Sequence, residues 1–290
     1  MWKLKRHILK SSLKRYPFIP ILTIFFFALM AIFANLLVLH SPYNTNLYNR
    51  LIPPFGKDKG TMTYILGTDT MGRDILSRII MGARISFIVA LLSIFFGGIG
   101  GSILGMISGY FGGRIDEVLM RLADISLAFP IVFIAVLFAV TRGPSLQNVT
   151  IAISVVLWAR YARVIRGETL SIKERDFVAL ARIAGCSHIR IILRHITPNV
   201  LSTLLVMLTL QVGWVIMVEA SLSFIGAGVP PPTPTWGGMI AEGRNYLSTA
   251  WWISLFPGLA MLFVILSFNL LGDWLREALD PKLRQVAGVG

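Results

Sequence analysis

The 290-residue sequence holds a single cysteine, Cys186. One thiol excludes a disulfide framework and any multi-thiolate metal site, and it leaves the redox compartment unreadable. The four histidines are scattered without metal-ligand spacing, so no metal-binding residues are expected. The phosphate-cradling pattern GxxxxGK[ST] occurs nowhere, so if ATP is used another chain must bind it. Charge is sparse as well: 14% of residues are charged, with 14 Asp plus Glu against 27 Lys plus Arg. A net charge of +13 would suit nucleic acid if the cations clustered on a water-soluble face, but here they segregate by loop. No nucleic-acid partner is expected.

What is abundant is apolar. Apolar residues make up 55% of the chain and mean hydropathy is +0.73, values that no soluble domain of this length reaches. A helix needs about 20 residues to cross the hydrocarbon core. Six runs approach that length: 18–39, 85–110, 125–140, 149–164, 198–225 and 251–271. The chain reads as an all-α polytopic membrane protein of about six transmembrane helices. The first run follows a basic N-terminus, but it exceeds the 7 to 15-residue apolar centre of a cleaved signal peptide and reads as a retained span. Short loops rich in Lys and Arg stay in the cytoplasm. With both termini inside, nineteen of the 27 cations fall on inner segments, eight of them in 159–198.

The segment between the first two runs carries Pro42, Pro53, Pro54 and Gly56, then Leu66-Gly67-Thr68-Asp69 and Gly72-Arg73-Asp74. It matches neither a calcium loop nor a phosphate loop, and it reads as an irregular segment on the outer membrane surface. In the second run Gly97, Gly101, Gly105 and Gly109 recur every four residues on one helical face, where small residues let backbones approach. Packing within the chain is favoured over contact with a second subunit. Glu219 is the one acid deep in an apolar run. Lying twenty-one residues beyond Pro198, about 32 Å at 1.5 Å per residue, it falls near the outer interface, where a carboxylate reaches water. A structural hydrogen-bond role and a part in the substrate path both fit it. Gln211 is expected to pair with a neighbouring helix, and Trp236, Trp251 and Trp252 suit an aromatic belt at the outer face.

The longest polar stretch, 161–198, lies between two apolar runs. Ser171-Ile-Lys-Glu174 reads as a capping box opening a short helix, Gly185 as its stop, and Cys186 with Ser187 as the start of a second short helix. Thr197 and Pro198 read as N-cap and N1 of the fifth span. This helix-Gly-helix element resembles the EAA loop of bacterial ABC importer permeases. Ala179, Leu180 and Ala181 take the EAA positions, Gly185 the glycine, and His195 to Pro198 the I-x-L-P positions. The family's Glu is Ala179 here, and Glu174 and Asp176 are the acids nearby.

The whole chain is similar to permease subunits of the dipeptide and oligopeptide ABC importers, a group that also takes nickel complexes and glutathione. The resemblance rests on Leu66 to Asp74, Gly109-Tyr110-Phe111-Gly112-Gly113 with Asp116, Ala128-Phe129-Pro130, Arg194 to Asn199, Glu219 to Gly226, Pro231 to Gly237 and Asn269 to Asp273. It implies a type I ABC importer permease fold with three parts: 1–83, holding the first helix and the external segment; a core at 84–285; and a tail at 286–290. It implies import of di- or oligopeptides across the bacterial inner membrane by a multi-pass chain with no catalytic residue and no cofactor of its own. The implied partners are a second, homologous permease, two ATPases carrying ATP and Mg, an external substrate-binding protein and membrane lipid. Docking and coupling then fall to Ala179, Leu180, Ala181, Arg182, Gly185, Ser187, Arg190 and Pro198, and a place on the substrate path to Glu219. An ion-coupled secondary transporter is the competing reading, but it would need buried acids near mid-membrane, and the runs hold no such cluster.

Overall fold

The computed structural model describes residues 17–57 and 60–279. The N-terminal basic segment, the 286–290 tail and both chain ends assigned to the cytoplasm lie outside them. Among the described residues the structure is helical, with a single isolated β-bridge between Thr68 and Asp74. Four helices are long and apolar enough to cross a membrane: α2 (Ile75–Phe111), α5 (Leu146–Lys173), α7 (His188–Phe224) and α9 (Trp252–Leu279). Before them comes α1 (Phe18–Ile32), a shorter apolar helix that turns a row of Phe, Ile and Leu outward. Lipid suits that face.

The expected third span is broken. Amphipathic α3 (Gly113–Ala128) and apolar α4 (Ile131–Arg142) meet at 82° and make a fifth span only if the bent pair counts as one. The cause is local: a proline disfavours the helical conformation in the residue before it. Phe129 accordingly sits at φ −93°, ψ 128° ahead of Pro130.

Helix ends also depart from the hydropathy limits. α2 begins ten residues before 85, because Asp74 caps it: the Asp74 carboxylate accepts from the Ser77 backbone N–H at 3.0 Å and from its hydroxyl at 2.5 Å. α5 runs through Ser171 to Lys173, so that serine lies inside a helix and caps nothing. The short helix α6 (Asp176–Ile183) starts five residues later, without a side-chain cap. The second short helix is the first turns of α7, not a separate element. Its Ser187 cap holds, with the hydroxyl accepting from Arg190 N–H at 3.4 Å. A π-helical stretch at Ile192–Ile196 then carries α7 past Pro198, which has no N–H for the carbonyl one turn back. Thr197 is therefore interior, its hydroxyl donating to Ile192 O at 2.9 Å.

Two apolar cores result. The larger joins α1, α2, α5, α7, α9 and the short α8 (Trp236–Gly243). The smaller lies at the other end of α2 and α5 and takes in Tyr110, Ile165, Ile172, Val178, Ile191 and Ile196. It fastens α6 and the start of α7 to the spans.

Most of segment 66–74 is buried rather than exposed, Met71 being the exception. Asp69, Arg73, Asp74 and Arg78 are all buried. Asp69 accepts from Arg73 Nε at 2.7 Å and from Arg78 Nη1, while Glu242 of α8 accepts from Arg73 at 2.9 Å and from Arg78 at 2.7 and 3.1 Å. Two cations and two acids thus pin the external segment, α2 and α8 together. Two of the three belt tryptophans are core residues instead. Trp236 donates to Ile79 O and Trp252 to Thr68 O, each at 3.1 Å. Trp251 alone of the three is exposed.

Candidate functional site

The α6 helix is eight residues long and apolar on two sides. Val178 and Ala181 turn inward to the smaller core, while Phe177, Leu180 and Ile183 turn outward. Leu180 is 65% exposed and Ile183 83%; on the first turns of α7, Ile189 (70%) and Leu193 (65%) continue the patch. Arg175, Arg182, Arg190 and Arg194 on the same stretch are exposed as well. An exposed apolar patch among charged side chains is the make-up of a protein-binding surface.

Each residue expected to dock has a definite place in this element. Ala179 and Leu180 are on the outer side and Ala181 on the inner. Gly185 ends α6 at φ +74°, and two hydrogen bonds complete the stop: Gly185 N–H to Arg182 O and Cys186 N–H to Ala181 O, both 3.0 Å. That pairing, with glycine in the left-handed region, is a Schellman motif. Ser187 then caps α7, and Arg190 and Pro198 are exposed along it. Glu174, just before α6, and Asp176, its first residue, are exposed.

The attachment to the spans was not foreseen from the sequence. Tyr110, near the end of α2, places its hydroxyl 2.9 Å from His188 Nδ1, and the Arg182 guanidinium lies 5.6 Å from the Tyr110 ring centroid. Tyr110 thus touches both sides of the Gly185 turn. The outward row Phe177, Leu180, Ile183 was available as a signal, since a short helix with one core needs one apolar stripe and this one has two.

The glycine face lies along α5. A Cβ at Gly97 would come within 2.9 Å of Ser154 O, at Gly101 within 2.3 Å of Trp158 O, at Gly105 within 2.5 Å of Ala162 O, and at Gly109 within 2.9 Å of Arg166 O. Each step of four on α2 meets a step of four on α5, so the two ridges interlock along their length.

Glu219 does not reach water. It is 0% exposed, accepting from Ser223 Oγ at 2.7 Å and from Ser86 Oγ at 3.4 Å. The cover is α8: Gly237 presses so close to Ala220 that a Cβ would fall 2.4 Å from its backbone. Gln211, expected to pair with a neighbouring helix, buries a side-chain oxygen that has no partner among the described residues. Those residues also contain no group of three or more His, Cys, Asp or Glu placed to hold a metal.

Several helices long and apolar enough to cross a membrane define a polytopic membrane protein. The chain belongs to the family of binding-protein-dependent transport system inner membrane components, whose model matches residues 101–285. It is 42% identical over 275 residues to the dipeptide transport system permease protein DppC of Haemophilus influenzae, covering 93% of this chain and 92% of that one. To the di/tripeptide transport system permease protein DppC of Pseudomonas aeruginosa it is 42% identical, covering 82% and 78%. To the glutathione transport system permease protein GsiD of Pectobacterium atrosepticum it is 38% identical, covering 88% and 83%. A chain of the MetNI methionine ABC transporter in an inward-facing conformation shares the fold, with a TM-score of 0.59 and 18% identity over 71% of this chain and 98% of that one.

Proposed function

We propose that this chain is one of two permeases lining a path for di- or oligopeptides across a bacterial inner membrane. Two ATPases, carrying ATP and Mg, dock on α6 and the first turns of α7 from the cytosol, and an external binding protein delivers the peptide. The observation that carries this reading is the two-sided α6. Its inner side is fixed in the smaller core and its outer side is left apolar and basic. A push on the outer side passes through Tyr110 to α2 and along the continuous helix of α7, so closure of the ATPases can change the packing of the spans. The chain has no phosphate loop of its own, which leaves ATP binding to the partners.

Relatives that bear peptide-transport names support the cargo class, and the glutathione relative extends it to a tripeptide. The test is uptake by proteoliposomes containing both permeases, both ATPases and the binding protein. Labelled dipeptide should accumulate when ATP is on the ATPase side, and a nickel chelate should compete weakly. Uptake driven by a proton or sodium gradient without ATP would replace this reading with a secondary transporter.

A further inference from the structure

α5 packs against α7 through polar as well as apolar side chains. The two helices run antiparallel. Their register is set at two points, where the Thr203 hydroxyl meets Glu168 at 3.4 Å and where the Arg160 guanidinium stacks 4.3 Å from the Trp214 ring centroid. Gln211, three residues before Trp214 on α7, buries an unpartnered side-chain oxygen. Tyr161, next to Arg160, buries an unpartnered hydroxyl.

Arg160 is out of place for a cation that only marks topology. It lies four residues from the end of the apolar run 149–164, about 6 Å at 1.5 Å per residue. A long basic side chain near a span's end reaches for the headgroups. This one crosses to α7 instead and remains partly exposed beside Trp214. No carboxylate among the described residues comes within ion-pair distance of it. An indole face attracts a guanidinium but does not neutralise it. The five N–H donors of the group therefore remain available to a planar anion, which they match in bidentate fashion.

The opposite charge lies on the same helix. Glu168 is eight residues from Arg160, about 12 Å along the axis, and is partly exposed on the α7 side. An extended peptide advances about 3.3–3.6 Å per residue, so the two charges match the free ends of a chain three or four residues long.

We propose that Arg160, braced on Trp214, binds the carboxylate end of a zwitterionic short peptide in the translocation path, with Glu168 receiving its ammonium end. The assignment rests on the peptide-import reading above. It adds to that reading a contact in this chain and a preference for cargo with both termini free.

The experiment uses the full reconstituted complex with saturating binding protein and trialanine as the probe. The readouts are initial uptake rate, subunit stoichiometry and melting temperature of the complex. Arg160→Gln should lower uptake about tenfold, the loss expected for one charge-assisted contact. Stoichiometry and melting should stay those of the wild type. Arg160→Lys, which keeps a cation without the planar fork, should recover part of the rate, and Glu168→Gln should show a smaller fall than Arg160→Gln. Wild-type uptake by Arg160→Gln overturns the assignment alone, as does an Arg160→Gln complex that melts early or loses a subunit, which would make the residue structural. A wild-type complex that imports no peptide overturns the peptide-import reading itself and this assignment with it.

Discussion

At the scale of single residues, two kinds of glycine do different work. Gly185 has open space where a Cβ would point, so its value lies wholly in its φ of +74°. A side chain in that conformation costs about 1 kcal/mol or more. Gly185→Val should insert normally yet co-purify with less ATPase and import more slowly. Gly185→Asn should be milder, since Asn tolerates the left-handed region. Pull-down of the ATPases checks both, and full recovery with Val would remove Gly185 from the coupling path. Gly101 is the converse case, ordinary in φ but pressed on Trp158 O. Gly101→Leu should lower the melting temperature of the purified chain through overpacking worth about 1–3 kcal/mol, and an unchanged melting curve would contradict the interlocked ridges. Both glycines were legible in sequence because a missing side chain leaves a local pattern: a stop between two helices, or a repeat of four. The burial of Glu219 was not, since its cover comes from α8, seventeen or more residues further on.

At the scale of elements, α6 concentrates the argument. Its outer face is apolar and uncovered by the other described residues, so Leu180→Glu with Ile183→Glu should leave insertion intact and abolish ATPase co-purification. Retained ATPase would place the docking surface elsewhere. The four-charge cluster makes a separate prediction. Glu242→Ala leaves Arg73 and Arg78 sharing Asp69 alone. Breaking a buried ion cluster by removing one partner costs about 3–5 kcal/mol, and the partial exposure of Glu242 points to the lower end. Thermal melting should fall accordingly, and protease should reach 40–74 more readily. Long apolar elements were legible because their runs exceed what a soluble helix buries. Their ends were not. The start of α2 depends on the Asp74 cap and on Arg78, whose charge looks misplaced until Glu242, 164 positions away, meets it. The bend between α3 and α4 could have been read from Phe129-Pro130, but hydropathy averages across a proline without registering its geometry.

At the scale of the whole molecule, the larger core holds the spans together and the smaller core links them to α6 and the first turns of α7. The family and its apolar helices were legible in ordered motifs and composition. The contact between α5 and α7 was not, because Arg160 and Trp214 are individually ordinary and gain meaning only from the antiparallel register. A cytosolic docking role requires α6 to face the cytosol and to be covered there by the ATPases. Ile183→Cys in a Cys186→Ser background puts one thiol at the most exposed point of that face. A membrane-impermeant maleimide should leave intact cells unlabelled, label inverted vesicles that lack the ATPases, and label inverted vesicles of the full complex several-fold more slowly. Labelling in intact cells, or equal labelling with and without bound ATPases, would contradict a cytosolic docking face on α6.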